Sequence, residues 1–147
     1  MNTAVEKNQE CIDTCNQLLR GELSAIEAYD KAIDKFPHET HTPTLRRIRD
    51  EHGDTVTELR QSVISMGGVA DTQSGAWGDF ATAVQATANF FGDDSAVASL
   101  LQGEKHGKRE YEEAIEKDST ATACRELMRH HCLPRVYRHI ETLENLS

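Results

Sequence analysis

Apolar positions recur at three- and four-residue steps in four long stretches of the chain and alternate convincingly in none, so the pattern predicts an all-α protein. In the first stretch, about residues 6–36, the seam runs through Cys11, Cys15, Leu18, Glu22, Ile26, Tyr29, Ile33 and Phe36. The second, 43–66, carries Leu45, Ile48, His52, Thr55, Leu59, Ser62 and Met66. Thr42 and Pro43 suit its start, and Gly67 and Gly68 its stop. The third, 94–117, has Val97, Leu100, Leu101, Glu104, Tyr111, Ala114 and Ile115 on one side. The fourth, 120–146, offers Leu127, Met128, Val136, Ile140 and Leu143. Pro134 falls inside it, removing a hydrogen bond and crowding the carbonyl of His130, which predicts a kink or break between those residues.

The first and third stretches share a phrase. "LLRGELSAIEAYDKAIDK" at 18–35 returns as "LLQGEKHGKREYEEAIEK" at 100–117, identical at eight of eighteen positions, where chance supplies about one. Two helical hairpins of common origin are therefore expected. Between them, residues 67–93 are too long for a hairpin loop and hold a short amphipathic stretch with Trp77, Phe80, Val84 and Ala88 on one face. The prediction is a single ferritin-like four-helix-bundle domain over residues 1–147, its two antiparallel hairpins joined by a long crossover with a short helix.

Polar residues in apolar seams point to chemistry. Glu22 and Glu104 occupy the same place in the two copies, so an approximate twofold axis would face them across the core. A buried carboxylate is costly unless its charge is compensated. A metal held between facing helices would compensate it, and His52 on the second seam extends the donor set. The fourth helix offers "RHHC" at 129–132, where adjacent residues diverge by about 100° and only one histidine suits the interior. His131, beside the Pro134 distortion, is the expected fourth ligand, with His130 and His139 as substitutes. Without metal, Glu22 and Glu104 would share a proton or bond to Tyr29, Tyr111 or a histidine. "HETH" at 38–41 reads as a solvated turn, and "EYEEAIEKD" as the wet face of a helix.

The repeated Gly-Glu…Tyr…Ala phrase at Glu22–Ala32 and Glu104–Ala114, the "MGG" closing helix two and the Trp-containing crossover resemble the DUF2383 family of PA2169-type four-helix bundles over roughly residues 9–146. That resemblance implies a ferritin-like fold and no particular activity. The wider ferritin-like pattern places single glutamates on helices one and three and a Glu-x-x-His unit on helices two and four. Glu22 and Glu104 match the single glutamates. Three residues before His52 stands Arg49, and three before His131 stands Met128; no Glu-x-x-His occurs anywhere in the chain. With both bridging carboxylates missing unless Glu51 or Glu126 is recruited, the remnant suits one divalent transition metal (iron, zinc or manganese) better than a dinuclear centre.

Composition narrows the alternatives. With 25 acidic against 16 basic residues, the chain lacks the positive footprint that a phosphate backbone requires, so no nucleic-acid partner is expected. No apolar run approaches the ~18 residues of a membrane span, and the first ten residues hold no apolar signal core; a cytoplasmic protein without a membrane partner is the expectation. A homo-oligomer is compatible with the pattern, and no motif names a protein partner. The four cysteines read as reduced thiols, more simply buried small hydrophobes than ligands, with a soft-metal site as the alternative. Two functions follow. One is a metal-binding bundle in metal handling or metal-dependent redox chemistry. The other is a metal-free bundle acting as a stress-related or scaffolding interaction module.

Overall fold

The computed structural model describes residues 3–35, 40–74 and 93–146 and is an all-α four-helix bundle with antiparallel packing. Helix α1 spans Ala4–Lys35, α2 Thr42–Ser65 and α3 Asp93–Glu116. The fourth bundle helix comes in three pieces: α4 (Thr122–Leu127), a π-helical turn (Met128–Cys132) and α5 (Leu133–Leu146). α1 packs along α2, α3 along α5, and α1 against α3. Phe36, His38 and Glu39 of the expected 38–41 turn, and the short helix expected around Trp77, lie outside the described residues.

Local chemistry sets the helix ends. At the start of α1 the Glu6 N–H donates to Thr3 Oγ1 (3.1 Å) and the Thr3 N–H to Glu6 Oε2 (3.3 Å). This reciprocal capping box, written in "TAVE", begins the helix two residues before the apolar seam suggests. α2 opens at Thr42 with His41 before it, so Pro43 sits within the first turn, where its missing N–H costs nothing. Its far end closes by a Schellman motif: Gly67 N–H bonds Ile64 O and Gly68 N–H bonds Val63 O, both at 2.9 Å. Gly67 has φ +85°, a left-handed conformation that a Cβ disfavours. Gly67→Ala should therefore cost about 1–2 kcal/mol, read as a lower denaturation midpoint at unchanged m-value. The chain is then strapped along α1, with Asn8 Nδ2 donating to Met66 O (3.1 Å) and Asn16 Nδ2 to Val69 O (3.0 Å). Asn16 Oδ1 in turn accepts from the Asp71 N–H (2.9 Å), and Arg20 pairs with Asp71.

The break near Pro134 takes a definite form. Leu133 N–H bonds back to Met128 O, five residues earlier, so Met128–Cys132 form a π turn and Pro134 lies just past it in the first turn of α5. The phase consequence is large. Cys124 and Leu143 both face the core although they are nineteen residues apart. An unbroken α-helix would leave them about 100° out of register. The π turn takes up one extra residue and removes that mismatch.

The interior divides into two apolar halves. One gathers Cys11, Cys15, Leu19, Leu59, Val63, Tyr111, Met128 and Val136; the other Tyr29, Ile33, Leu45, Ile48, Leu100 and Leu143. A buried polar layer with Glu22, His52, Glu104 and His139 interrupts them.

Candidate metal centre

Each bundle helix contributes one side chain to that layer. Glu22 comes from α1, His52 from α2, Glu104 from α3 and His139 from α5, exposed by only 5%, 3%, 0% and 3%. His52 is central. Its Nδ1 bonds Glu22 Oε2 and its Nε2 lies 2.6 Å from Glu104 Oε1. The His139 ring sits beside it, centroids 4.8 Å apart, with Nε2 at 3.0 Å from Glu51 Oε1 and Nδ1 at 3.4 Å from Glu104 Oε1.

The tyrosines of the repeated phrase complete the layer by exchange. Tyr29, from the first copy, donates to Glu104 of the second at 2.7 Å; Tyr111, from the second, donates to Glu22 of the first at 2.6 Å. A twofold axis between two copies of one hairpin produces this reciprocity, which explains why glutamate and tyrosine recur together in both phrases. Both phenols are fully buried, and burial, with the facing carboxylates adding to it, raises their pKa values well above the ordinary range. They act as fixed hydrogen-bond donors.

The charges are arranged around His52. Burial by itself opposes its protonation, but Glu104 and Glu22 outweigh burial and hold the imidazolium well above the usual histidine range. For Glu104, burial favours the neutral acid, yet His52 and His139 prevail and hold the carboxyl below its usual range. In the metal-free state both His52 ring nitrogens thus carry protons aimed at carboxylates.

Two buried atoms of this layer make no hydrogen bond, the 3.4 Å approach of His139 Nδ1 to Glu104 Oε1 being an ion-pair contact alone. Glu104 Oε2 and His139 Nδ1 have no hydrogen-bond partner. Such atoms are rare in folded proteins because each forfeits its hydration without replacement. Both present lone pairs once His139 donates from Nε2 to Glu51, the arrangement by which an outer carboxylate fixes a ligating imidazole. One ligand atom each from His52, Glu104 and His139 lie within 4.8 Å of one another. The triad is capable of coordinating a metal ion, and its nitrogen and oxygen donors suit a divalent transition metal. A cavity of about 10 Å³, lined by residues that include Gly21, Glu22, His52, Glu104 and Gly107, leaves room for one water-sized guest beside it.

Of the four residues singled out in the sequence, Glu22, His52 and Glu104 meet and His131 does not. His131 is exposed within the π turn, whose inward positions go to Met128 and Cys132. His130 is also on the surface, 63% exposed, paired with Glu126 at 2.7 Å. The fourth-helix histidine of the core is His139. Its signal was present three residues after Val136 and four before Leu143, on the seam of α5 itself. Glu51, which no seam argument selects, enters through His139; Glu126 stays outside with Arg129 and His130.

Crossover-linked antiparallel hairpins with a buried glutamate–histidine layer at mid-bundle define a ferritin-like four-helix bundle. The chain belongs to the family described as domain of unknown function DUF2383, whose model matches residues 10–117. The match takes in Glu22, His52 and Glu104 and stops short of His139. No curated protein and no solved structure gives a match. Among the described residues no helix is long and apolar enough to cross a membrane.

Proposed function

We propose that this bundle binds one divalent transition metal in its core, held by His52, Glu104 and His139, and serves metal handling or metal-dependent redox chemistry. The observation that carries the reading is the pair of buried atoms without a hydrogen bond, Glu104 Oε2 and His139 Nδ1. Glu22, whose two oxygens already take Tyr111 and His52, orients the central imidazole and balances charge. To ligate, His52 releases the proton at Nε2 and keeps the one at Nδ1 directed to Glu22. A bound iron or manganese would supply redox chemistry, and zinc would supply Lewis acidity. With no Glu-x-x-His unit to bridge a second ion, the donor set suits a mononuclear site.

One observation favours the other reading, a metal-free interaction module: doubly protonated His52 bridges both carboxylates and balances much of their charge without a metal. Metal analysis of tag-free protein separates the two. The metal reading expects about one equivalent of iron, zinc or manganese per chain, lost in a Glu104→Gln/His139→Gln double variant that keeps its helicity. Wild-type protein that holds no metal and takes up none when offered each ion would support the module instead.

A further inference from the structure

The second concentration of ligand chemistry lies toward the other end of the apolar core and uses none of the residues above. Cys11 and Cys15, one turn apart on α1, meet Cys124 from α4, and the three sulfurs lie within 4.8 Å of one another. All three are buried, at 1%, 0% and 4% exposure, and none is in a disulfide. A fourth soft donor stands beside them. Met66, at the C-terminal cap of α2, places Sδ 3.9 Å from Cys124 Sγ. The backbone N–H of Ala121 donates to Cys11 Sγ at 3.4 Å, a contact that favours the thiolate.

From this convergence we propose that Cys11, Cys15, Cys124 and Met66 form a second metal site, separate from the carboxylate–imidazole layer and selective for a soft monovalent cation of the Cu(I) class.

Ligand chemistry sets the selectivity. The donors are three thiols and a thioether, with no oxygen or nitrogen ligand among them. Hard ions are disfavoured by such a set, and the thioether favours Cu(I) over zinc. Distance permits closure. Sulfurs around a four-coordinate ion at ~2.3 Å stand about 3.8 Å apart, so the thiols need contract by about 1 Å at most. The cluster also has two approaches. Cys11 lines a surface groove with Lys7, Asp118 and Arg125, while Cys124 and Met66 line another between α2 and α4. Partly exposed Met66 is the donor best placed to meet an incoming ion. Copper enters already as Cu(I), so no electron moves; each thiol that ligates releases one proton to solvent. A purely apolar role would equally suit Cys132, yet that buried cysteine stands outside the triad and serves as an internal control.

The test is an anaerobic competition in which reduced, metal-free protein withdraws Cu(I) from its coloured bicinchoninate complex. Wild type, Cys132→Ala and Glu22→Gln/Glu104→Gln should each withdraw one equivalent. Cys15→Ala/Cys124→Ala should withdraw none while remaining helical. Met66→Leu should weaken Cu(I) about tenfold without changing zinc affinity, and it decides the matter if the double variant fails to fold. X-ray absorption of loaded wild type should show a shell of sulfur alone. Failure of wild type to compete, full uptake by the double variant, an unchanged Cu(I) affinity in Met66→Leu, or nitrogen or oxygen in the shell would each overturn the site.

Discussion

His52→Leu should destabilise the metal-free protein by about 3–5 kcal/mol, far more than the loss of one buried hydrogen bond. The side chain removed is the cation between Glu22 and Glu104, and a leucine of similar bulk offers neither carboxylate a donor. The two acids are then left in a dry layer with the Tyr111 and Tyr29 hydroxyls and, beside Glu104, the His139 ring at 3.4 Å. Adding Glu22→Gln and Glu104→Gln to His52→Leu should recover much of the loss, because neutral amides carry no uncompensated charge. Urea denaturation with an unchanged m-value measures both steps. A His52→Leu protein within 1 kcal/mol of wild type would mean that the layer is not a buried ion network.

Deleting Arg138 should abolish cooperative folding, whereas deleting His131 together with Pro134→Ala should leave a folded bundle. Both lost residues are exposed, so burial alone predicts no difference. Register predicts a large one. Removing Arg138 turns His139 and Leu143 by about 100° relative to Val136, driving a buried leucine and a core ligand toward solvent. Removing His131 takes away the residue by which the π turn exceeds an α turn, so both flanks keep their phase. Pro134 must go with it, since an uninterrupted α-helix there meets its ring with a carbonyl four residues back. Thermal unfolding followed by circular dichroism reads both variants. Equal tolerance, or loss of the fold in the His131 deletion, would contradict the phase argument.

The same π turn explains what could and could not be read from the amino acids. Helices α1, α2 and α3 keep unbroken seams, so periodicity identifies Glu22, His52 and Glu104 as core positions, and the repeat pairs the glutamates. It also pairs Tyr29 with Tyr111, but their exchange between copies depends on how the hairpins face each other. In the fourth helix Pro134 announces a disruption without saying how many residues it absorbs. One residue decides whether His131 or His139 faces inward: extending the α-helical phase from Cys124 favours His131, whereas counting back from Leu143 favours His139. Glu51 was out of reach for the same reason, since its role depends on His139. The start of α1 was legible in "TAVE" by its capping chemistry although not by its apolar pattern.

Crystals of tag-free protein loaded with one equivalent of manganese, iron or zinc, with anomalous data collected on both sides of that metal's absorption edge, give the most direct view of the core. One anomalous peak per chain is expected, in contact with Glu104, His139 and His52, with Glu22 still bonded to the far nitrogen of the His52 ring. A core without a peak, with the metal only at surface carboxylates and histidines such as Glu126 and His130, would contradict a metal role for the layer. Two peaks about 3.5–4 Å apart would contradict its mononuclear character.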